Sequence, residues 1–241
     1  MESTALYSTR AELYDAIYHF KDYGAEAERI HALLEARGVG ERSSVLDAAC
    51  GTGSHLAPLR PWYEVSGFDL SEAMLEVARR KLPGVSLFAA DLKSFTVERP
   101  VDGLLCLFSS IAYLRSRDEL LSAARSFAAA LRPGGVLLLE PFVAPADFVS
   151  GRPFLQTFDG EDLKCARVSI SHVEGDRAVI DFGWLVVRRG QPAIEHFVER
   201  HDLWLCPYET ITECLEQAGF TVEHAPHGLM TDRGLLIACR S

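Results

Sequence analysis

The sequence has no Cys-x-x-Cys pair: its six cysteines, Cys50, Cys106, Cys165, Cys206, Cys214 and Cys239, are scattered singly, and no secretory leader is expected. That usage excludes a disulfide framework or zinc knuckle and points to the reducing cytoplasm. Positive charge is also scarce, with 24 Lys and Arg against 34 Asp and Glu for a net −10. An acidic chain repels polyphosphate backbones and anionic lipid, so neither a nucleic-acid coat nor a membrane-surface role is expected. Apolar runs are too short to span a bilayer. The eight histidines show no HxxxH or HExxH spacing, and His196 and His201 fall on opposite faces of any strand that carries both, so no metal is expected. Repeats, low-complexity tracts and linkers are absent as well.

What is present is a regular alternation. Two helices are expected near 10–18 and 24–36, the second stopping at Gly38. Strands then read at "VLDAA", "YEVSGFDL", "VSLFAA", "VDGLLCLF" and "GVLLLE", with helices at "SEAMLEVARRKL" and "RDELLSAARSFAAALR", the last closed by "RPGG" at 132–135. Such alternation predicts an α/β fold with a doubly wound, mostly parallel Rossmann-like sheet. From about 162 to 206 the rhythm changes to three long alternating segments separated by "EGD" and "GQP", an antiparallel meander placed as a lid or oligomer contact. A helix over 207–218 and two strands end the chain. The expected organisation is one domain over 1–241, with a helical segment 1–42, a core over 43–141 and 207–241, and an antiparallel insertion over about 142–206.

In a parallel sheet, ligands sit at the carboxyl ends of the strands, and the first strand-to-helix turn is the usual contact. Here that turn is "VLDAACGTGSHL". Gly53 is followed by Ser54 and His55 rather than Gly-Lys-Ser/Thr, which excludes a Walker loop, and Leu56 stands where a dinucleotide fingerprint wants a small residue. The pattern left is D-x-A-x-G-x-G, from Asp47 through Ala49 and Gly51 to Gly53. Asp69 ends the next strand, where an acid takes ribose hydroxyls. Asp91, and Ser109 with Ser110, end two further strands. Ser109 lacks the flanking glycines of a hydrolase elbow. Tyr14, Tyr18 and Tyr23 fit either helix packing or a segment closing over the site.

These elements, in order and spacing over residues 44–141, resemble class I S-adenosyl-L-methionine (SAM)-dependent methyltransferases. The resemblance implies that the Ala48–Gly53 turn takes the methionine portion, Asp69 the ribose, Leu70 and Met74 the borders of the adenine, and Asp91 with Leu92 its edge. It also implies that the Leu107 backbone faces the methionine amine. Asp47 supports the loop, and Tyr23 joins the cofactor set. A sulfonium prefers carbonyl oxygens and aromatic faces to a lysine, and the loop has no lysine. S-adenosyl-L-homocysteine is the implied product.

"AELYDAIYHFKDYGAEAERI", "LDAACGTGSHL", "FDLSEAMLEVARRK", "CLFSSIAYL", "LRPGGVLLLEPF" and "DRGLL" are similar, over nearly the whole chain, to the dTDP-aminosugar N,N-dimethyltransferases of antibiotic biosynthesis. That resemblance implies a homodimer built partly by the insertion, an arginine (Arg233) on the nucleotide part of the acceptor, and Tyr14 beside the acceptor pocket. The chain departs from the family at Tyr113, where "SSIAYL" replaces "SSIGHL", and in the short "YHF" before "KDY". Candidate catalytic residues are Tyr14, Tyr113 and Glu140; candidate substrate residues are Tyr14, Ser109, Ser110, Tyr113 and Arg233. Still open are O- or N-methylation of another small metabolite, a nicotinamide oxidoreductase on the same sheet, and a non-catalytic SAM-binding subunit. DNA adenine methylation would need an Asn/Asp-Pro-Pro-aromatic stretch that "LFSSIAYL" does not supply.

Overall fold

The computed structural model describes residues 11–230 and 233–241; the expected first-helix start at residue 10, and Asp232 of "DRGLL", lie outside them. Two short helices open it, α1 (Glu12–Ile17) and α2 (Tyr23–Glu35). Lys21 and Asp22 separate them, and Asp22 caps α2 by accepting from the Ala25 amide at 2.9 Å. There follow β1 (Ser44–Ala48), α3 (Leu56–Leu59), β2 (Glu64–Asp69), α4 (Glu72–Lys81), β3 (Ser86–Ala89), β4 (Val101–Cys106), α5 (Arg117–Ala130) and β5 (Leu131–Leu139). α3 is one turn long, stopping before Pro61, which cannot continue a helix. Ser71 and Ser116 cap α4 and α5, accepting from Met74 and Glu119 amides at 3.2 Å each.

"RPGG" does not end α5. That helix stops at Ala130, Leu131 is already extended, and Arg132–Gly135 form the irregular start of β5, whose pairing with β4 slips between Val101 and Gly103. Gly134 takes φ +74° there, the left-handed backbone that glycine tolerates and a bulge requires.

The chain closes with α6 (Tyr208–Gln217), β10 (Phe220–Ala225) and β11 (Leu235–Arg240). The main sheet runs β10-β11-β5-β4-β1-β2-β3; β11 is antiparallel to β5, β10 is antiparallel to β11, and the other pairings are parallel. Its central strands are apolar on both faces, as helix-covered parallel strands must be. On one face Leu46, Phe68 and Leu137 pack with Phe127 of α5 and Leu215 of α6; on the other Val45, Leu105 and Leu138 meet Ile30 and Leu34 of α2. The sheet order reverses between β1 and β4, which opens a crevice at their carboxyl ends.

The insertion is a separate antiparallel sheet of four strands, β6 (Phe154–Asp159), β7 (Leu163–Glu174), β8 (Arg177–Arg188) and β9 (Glu195–Trp204), one more than the alternation predicts. Its inner face seats Cys165, Trp184 and Val186 on Leu13 and Ile17 of α1. Its outer face carries Leu155, Val168 and Val198, which pair in register through Gly183 and are 65%, 55% and 73% exposed.

Candidate active site

The crevice holds a cavity of about 550 Å³. Its floor is the turn after β1. Ala49 (φ +63°) and Gly51 (φ +55°) both stand in the left-handed region there, which turns the backbone through a tight reversal; a Cβ on Gly51 would enter open space. Asp69 fixes this turn to the neighbouring strand: Oδ2 accepts from the Gly51 amide and Oδ1 from the Ser71 amide, both at 2.8 Å. Burial raises the Asp69 carboxyl, and hydrogen bonds from the Ser71, Gly51 and Leu70 amides oppose that. Asp47, at the end of β1 and 2% exposed, is pushed up to about 7 by burial, with His55 opposing and Asp69 adding. Cys50 also lines the floor, but burial drives its thiol far above the range in which thiolate forms, so it is no nucleophile.

One wall is apolar and carries an acid: Phe68, Leu70, Met74, Ala90, Asp91 and Leu92. Opposite stands a segment from α1 and α2. Asp15 accepts from Thr52 Oγ1 at 2.5 Å and Ser54 Oγ at 3.2 Å, and pairs with Lys81 at 2.8 Å, which ties α1 to the glycine turn and α4. Behind it Glu26 pairs with Lys21 at 2.8 Å and His55 at 2.7 Å. Burial alone would raise the Glu26 carboxyl; the hydrogen bonds from His55 and Lys21 outweigh it and hold it below the usual carboxylate range. Tyr23 stands edge-on to His55 at 4.9 Å, its hydroxyl pushed up by burial and by Glu26 and Asp15.

The far end is made by Tyr14 of α1, Phe108, Ser110 and Tyr113 after β4, and His201 of β9. The Tyr113 hydroxyl lies 2.6 Å from His201 Nδ1. His201 is 6% exposed, and burial, with Arg167 adding, pushes its imidazole down to about 4, so it is neutral near pH 7. The outward rim carries Lys93, Arg115, Glu119, Arg200 and Asp202.

The cavity wall therefore brings together Tyr14, Tyr23, Asp47, Gly51, Asp69, Leu70, Met74, Asp91, Leu92, Leu107, Ser110 and Tyr113. Five expected positions fall elsewhere. Ala48 is buried in β1, and its neighbour Ala49 faces the cavity. Gly53, with φ +76°, packs on α4: a Cβ there would stand 2.5 Å from Leu82 Cδ1. Ser109 is buried, donating to the Pro141 carbonyl at 3.2 Å. Arg233 bonds Ser109 Oγ and lies over the Phe142 ring at 5.8 Å. Glu140, 1% exposed, spends both carboxylate oxygens on main-chain amides, Phe108 at 3.0 Å and Met230 at 2.9 Å, so it is a bracket for two loops and not a base facing substrate. The first of those loops needs one, since Phe108 and Ser109 both stand at positive φ, +52° and +63°. Thr52, Ser54, His55, Phe108 and His201 line the cavity without having been singled out by pattern. Among the described residues no group of three or more His, Cys, Asp or Glu is placed to hold a metal ion.

A mostly parallel sheet with one reversed strand, β11, and with a glycine turn, a strand-end aspartate and an apolar wall at its switch point defines a class I SAM-dependent methyltransferase. Comparison with known proteins agrees: a family model described as a methyltransferase domain matches residues 45–135. A dTDP-4-amino-2,3,4,6-tetradeoxy-D-glucose N,N-dimethyltransferase from Saccharopolyspora spinosa is 34% identical over 100% of this chain and 96% of its own. Among solved structures, Streptomyces venezuelae DesVI superposes with a TM-score of 0.90 at 35% identity, covering 96% of this chain and 98% of its own. A SAM-bound amino pentose methyltransferase of calicheamicin biosynthesis from Micromonospora echinaspora gives 0.85 at 32% identity, covering 95% and 97%. The chain belongs to the dTDP-aminosugar N,N-dimethyltransferase family, and it is an enzyme that uses SAM.

Proposed function

We propose that this enzyme methylates the amine of a dTDP-linked aminosugar. The observation that carries this reading is the continuity of one cavity, from the glycine turn and Asp69 to a polar far end made by Tyr14, Ser110, Tyr113 and His201. SAM, when bound, supplies a methyl group on a sulfonium. Asp69 has lone pairs left for a ribose diol, Phe68, Leu70 and Met74 offer an adenine slot, and Asp91 and Leu92 its polar edge. Tyr23 and the Leu107 backbone border the amino-acid end, with Gly51 giving room for close approach.

The reaction asks little of acid or base groups, because the methyl carbon already carries a good leaving group; alignment and exclusion of water supply most of the rate. Tyr14 and Tyr113 orient the acceptor nitrogen, and the antiparallel sheet closes the far end against water. For the diphosphate the rim supplies Arg115, and Arg233, which bonds Ser109 Oγ behind the wall, reaches it only by leaving that bond. The net charge of −10 opposes nucleic acid or anionic membrane partners. No described helix is long and apolar enough to cross a membrane, and the six free cysteines suit the cytoplasm. Incubation with SAM and a panel of dTDP-aminosugars is expected to give mono- and dimethylated products by mass spectrometry; turnover of a hydroxyl acceptor in preference to every aminosugar would sink the reading.

The exposed apolar outer face of the β6–β9 sheet supports a homodimer, since contiguous apolar patches on monomers are rare. Light scattering should report the mass of two chains, and Val168→Glu, on the inner strand β7 of that face, should give monomers. A monomeric parent at every concentration disposes of the dimer.

A further inference from the structure

Tyr113 stands where the family resemblance puts a histidine, yet an imidazole is present at the same place: His201 arrives from β9, in the other sheet, and its Nδ1 sits 2.6 Å from the Tyr113 hydroxyl. Both side chains line the cavity. We propose that His201 is a positioning residue for methyl transfer, a neutral imidazole that takes the Tyr113 hydroxyl proton as a hydrogen-bond acceptor and so leaves the phenol oxygen facing the cavity as the acceptor for the substrate amine N–H. The proposal rests on the aminosugar reading above.

The direction of the bond follows from chemistry and surroundings. A neutral phenol is a stronger donor than a neutral imidazole N–H, and the 2.6 Å separation suits an O–H donor on a nitrogen acceptor. His201 is packed edge-on against Phe182 of β8 at 4.9 Å, and the cationic side chain facing it is Arg167 of β7, which disfavours a second positive charge. Arg167 is itself buried, stacked on Phe182 at 4.5 Å and Tyr18 at 5.1 Å, so its charge is little screened. Arg200 and Asp202 flank His201 in sequence and turn to Glu174 and Arg177 on the outer side.

A proton relay through the pair is the alternative, and magnitudes decide against it. When the amine lone pair forms the N–C bond and the C–S pair stays on sulfur, the proton is on an ammonium whose ordinary pKa is about 8 to 10. Passing it through Tyr113 to an imidazole held near 4 is unfavourable by roughly 10⁴-fold or more. The ammonium product therefore keeps its proton until it leaves. What the pair provides is orientation: with the phenol proton committed to Nδ1, the amine can approach Tyr113 only as a donor, which turns its lone pair away from the phenol.

Three measurements test this. In ¹⁵N spectra of the unaltered enzyme without acceptor, His201 is expected to have an unprotonated Nδ1 from pH 5.5 to 8, its resonance moving in Tyr113→Phe; an Nδ1–H tautomer, or titration near 6.5, overturns the proposal. In methyl-transfer kinetics His201→Leu should lower kcat about tenfold, the scale of one hydrogen bond, with SAM affinity unchanged. His201→Asn, whose amide oxygen can replace Nδ1 as acceptor, should stay within about threefold of the parent. Equal loss in the two variants would mean that the imidazole moves a proton or merely fills space. In the Tyr113→Phe background His201→Leu should have no further effect, and additive losses likewise overturn the proposal. The spectra need no acceptor, so failure of the aminosugar assignment and failure of the pair read out separately.

Discussion

Replacing Glu140 by alanine is expected to destabilise the fold by about 3 kcal/mol, because two main-chain amides in a nearly solvent-free site lose their acceptor at about 1–3 kcal/mol each. For a chain of this size that is a fall in melting temperature of roughly 6 to 12 °C. The Phe108–Ser109 turn, held at positive φ, is then free to relax, and with it Phe108 and Ser110 on the cavity wall. Acceptor KM should rise more than SAM affinity falls, since the glycine turn and Asp69 are on other strands. Glu140→Gln keeps one acceptor oxygen and should lose about half as much stability. The same pair of variants separates a bracket from a base. A catalytic base would show Glu140→Gln melting close to the parent while turnover collapses, and calorimetry beside steady-state kinetics decides between them.

The parts of the site that were legible in the sequence are those written in local pattern. The central strands announce themselves because helix-covered parallel strands are apolar throughout, and the glycine turn and Asp69 because their chemistry follows directly from lying at strand ends. β6 escaped notice since "FLQTFD" is a short edge strand whose inward residues, Gln156 and Phe158, are only half-buried and whose exposed residues include Phe154 and Leu155, so apolar residues do not mark one face. The Ala48–Ala49 offset comes from the turn: once Ala49 adopts positive φ, the alternation of β1 no longer tells which alanine faces the ligand. "RPGG" reads as a helix stop on Pro and Gly alone, but a bulge in β5 uses the same residues. His201, Glu140 and the Lys21–Glu26–His55 chain were beyond pattern for another reason. Lys21 and Glu26 are near in sequence, but Glu26 meets His55 29 residues on, Tyr113 meets His201 88 residues on and Glu140 meets Met230 90 residues on, and nothing in spacing reports such contacts. Polar side chains inside a fold take their meaning from tertiary neighbours, whereas apolar periodicity is already present in one element.

SAM should bind more tightly as pH rises from 5.5 to 7, by roughly tenfold, and release protons as it binds; both effects should vanish in Asp47→Asn. Asp47 carries its proton up to about pH 7 in the folded enzyme because the end of β1 is nearly dry. A cationic ligand entering the same cavity favours the carboxylate, so at pH 6 binding must expel that proton, and by linkage affinity climbs with pH until the free enzyme has lost it unaided. The window ends at 7, below the range where the ligand's own α-amine, with an ordinary value of about 8, begins to titrate. The sign for stability is opposite. In the unfolded chain Asp47 ionises near 3.9, so between about 4 and 7 the folded state binds the extra proton, and stability without ligand falls with rising pH, by up to about 4 kcal/mol across the window. Asp47→Asn removes that slope, and the unliganded variant should melt higher than the parent at pH 8 while showing little advantage at pH 4. Isothermal calorimetry in two buffers of different ionisation enthalpy measures the protons released, and thermal melts across pH measure the stability term. A parent that binds SAM at pH 6 with no proton release would mean that Asp47 is already ionised in the free enzyme, and that the turn after β1 is wetter than its burial implies.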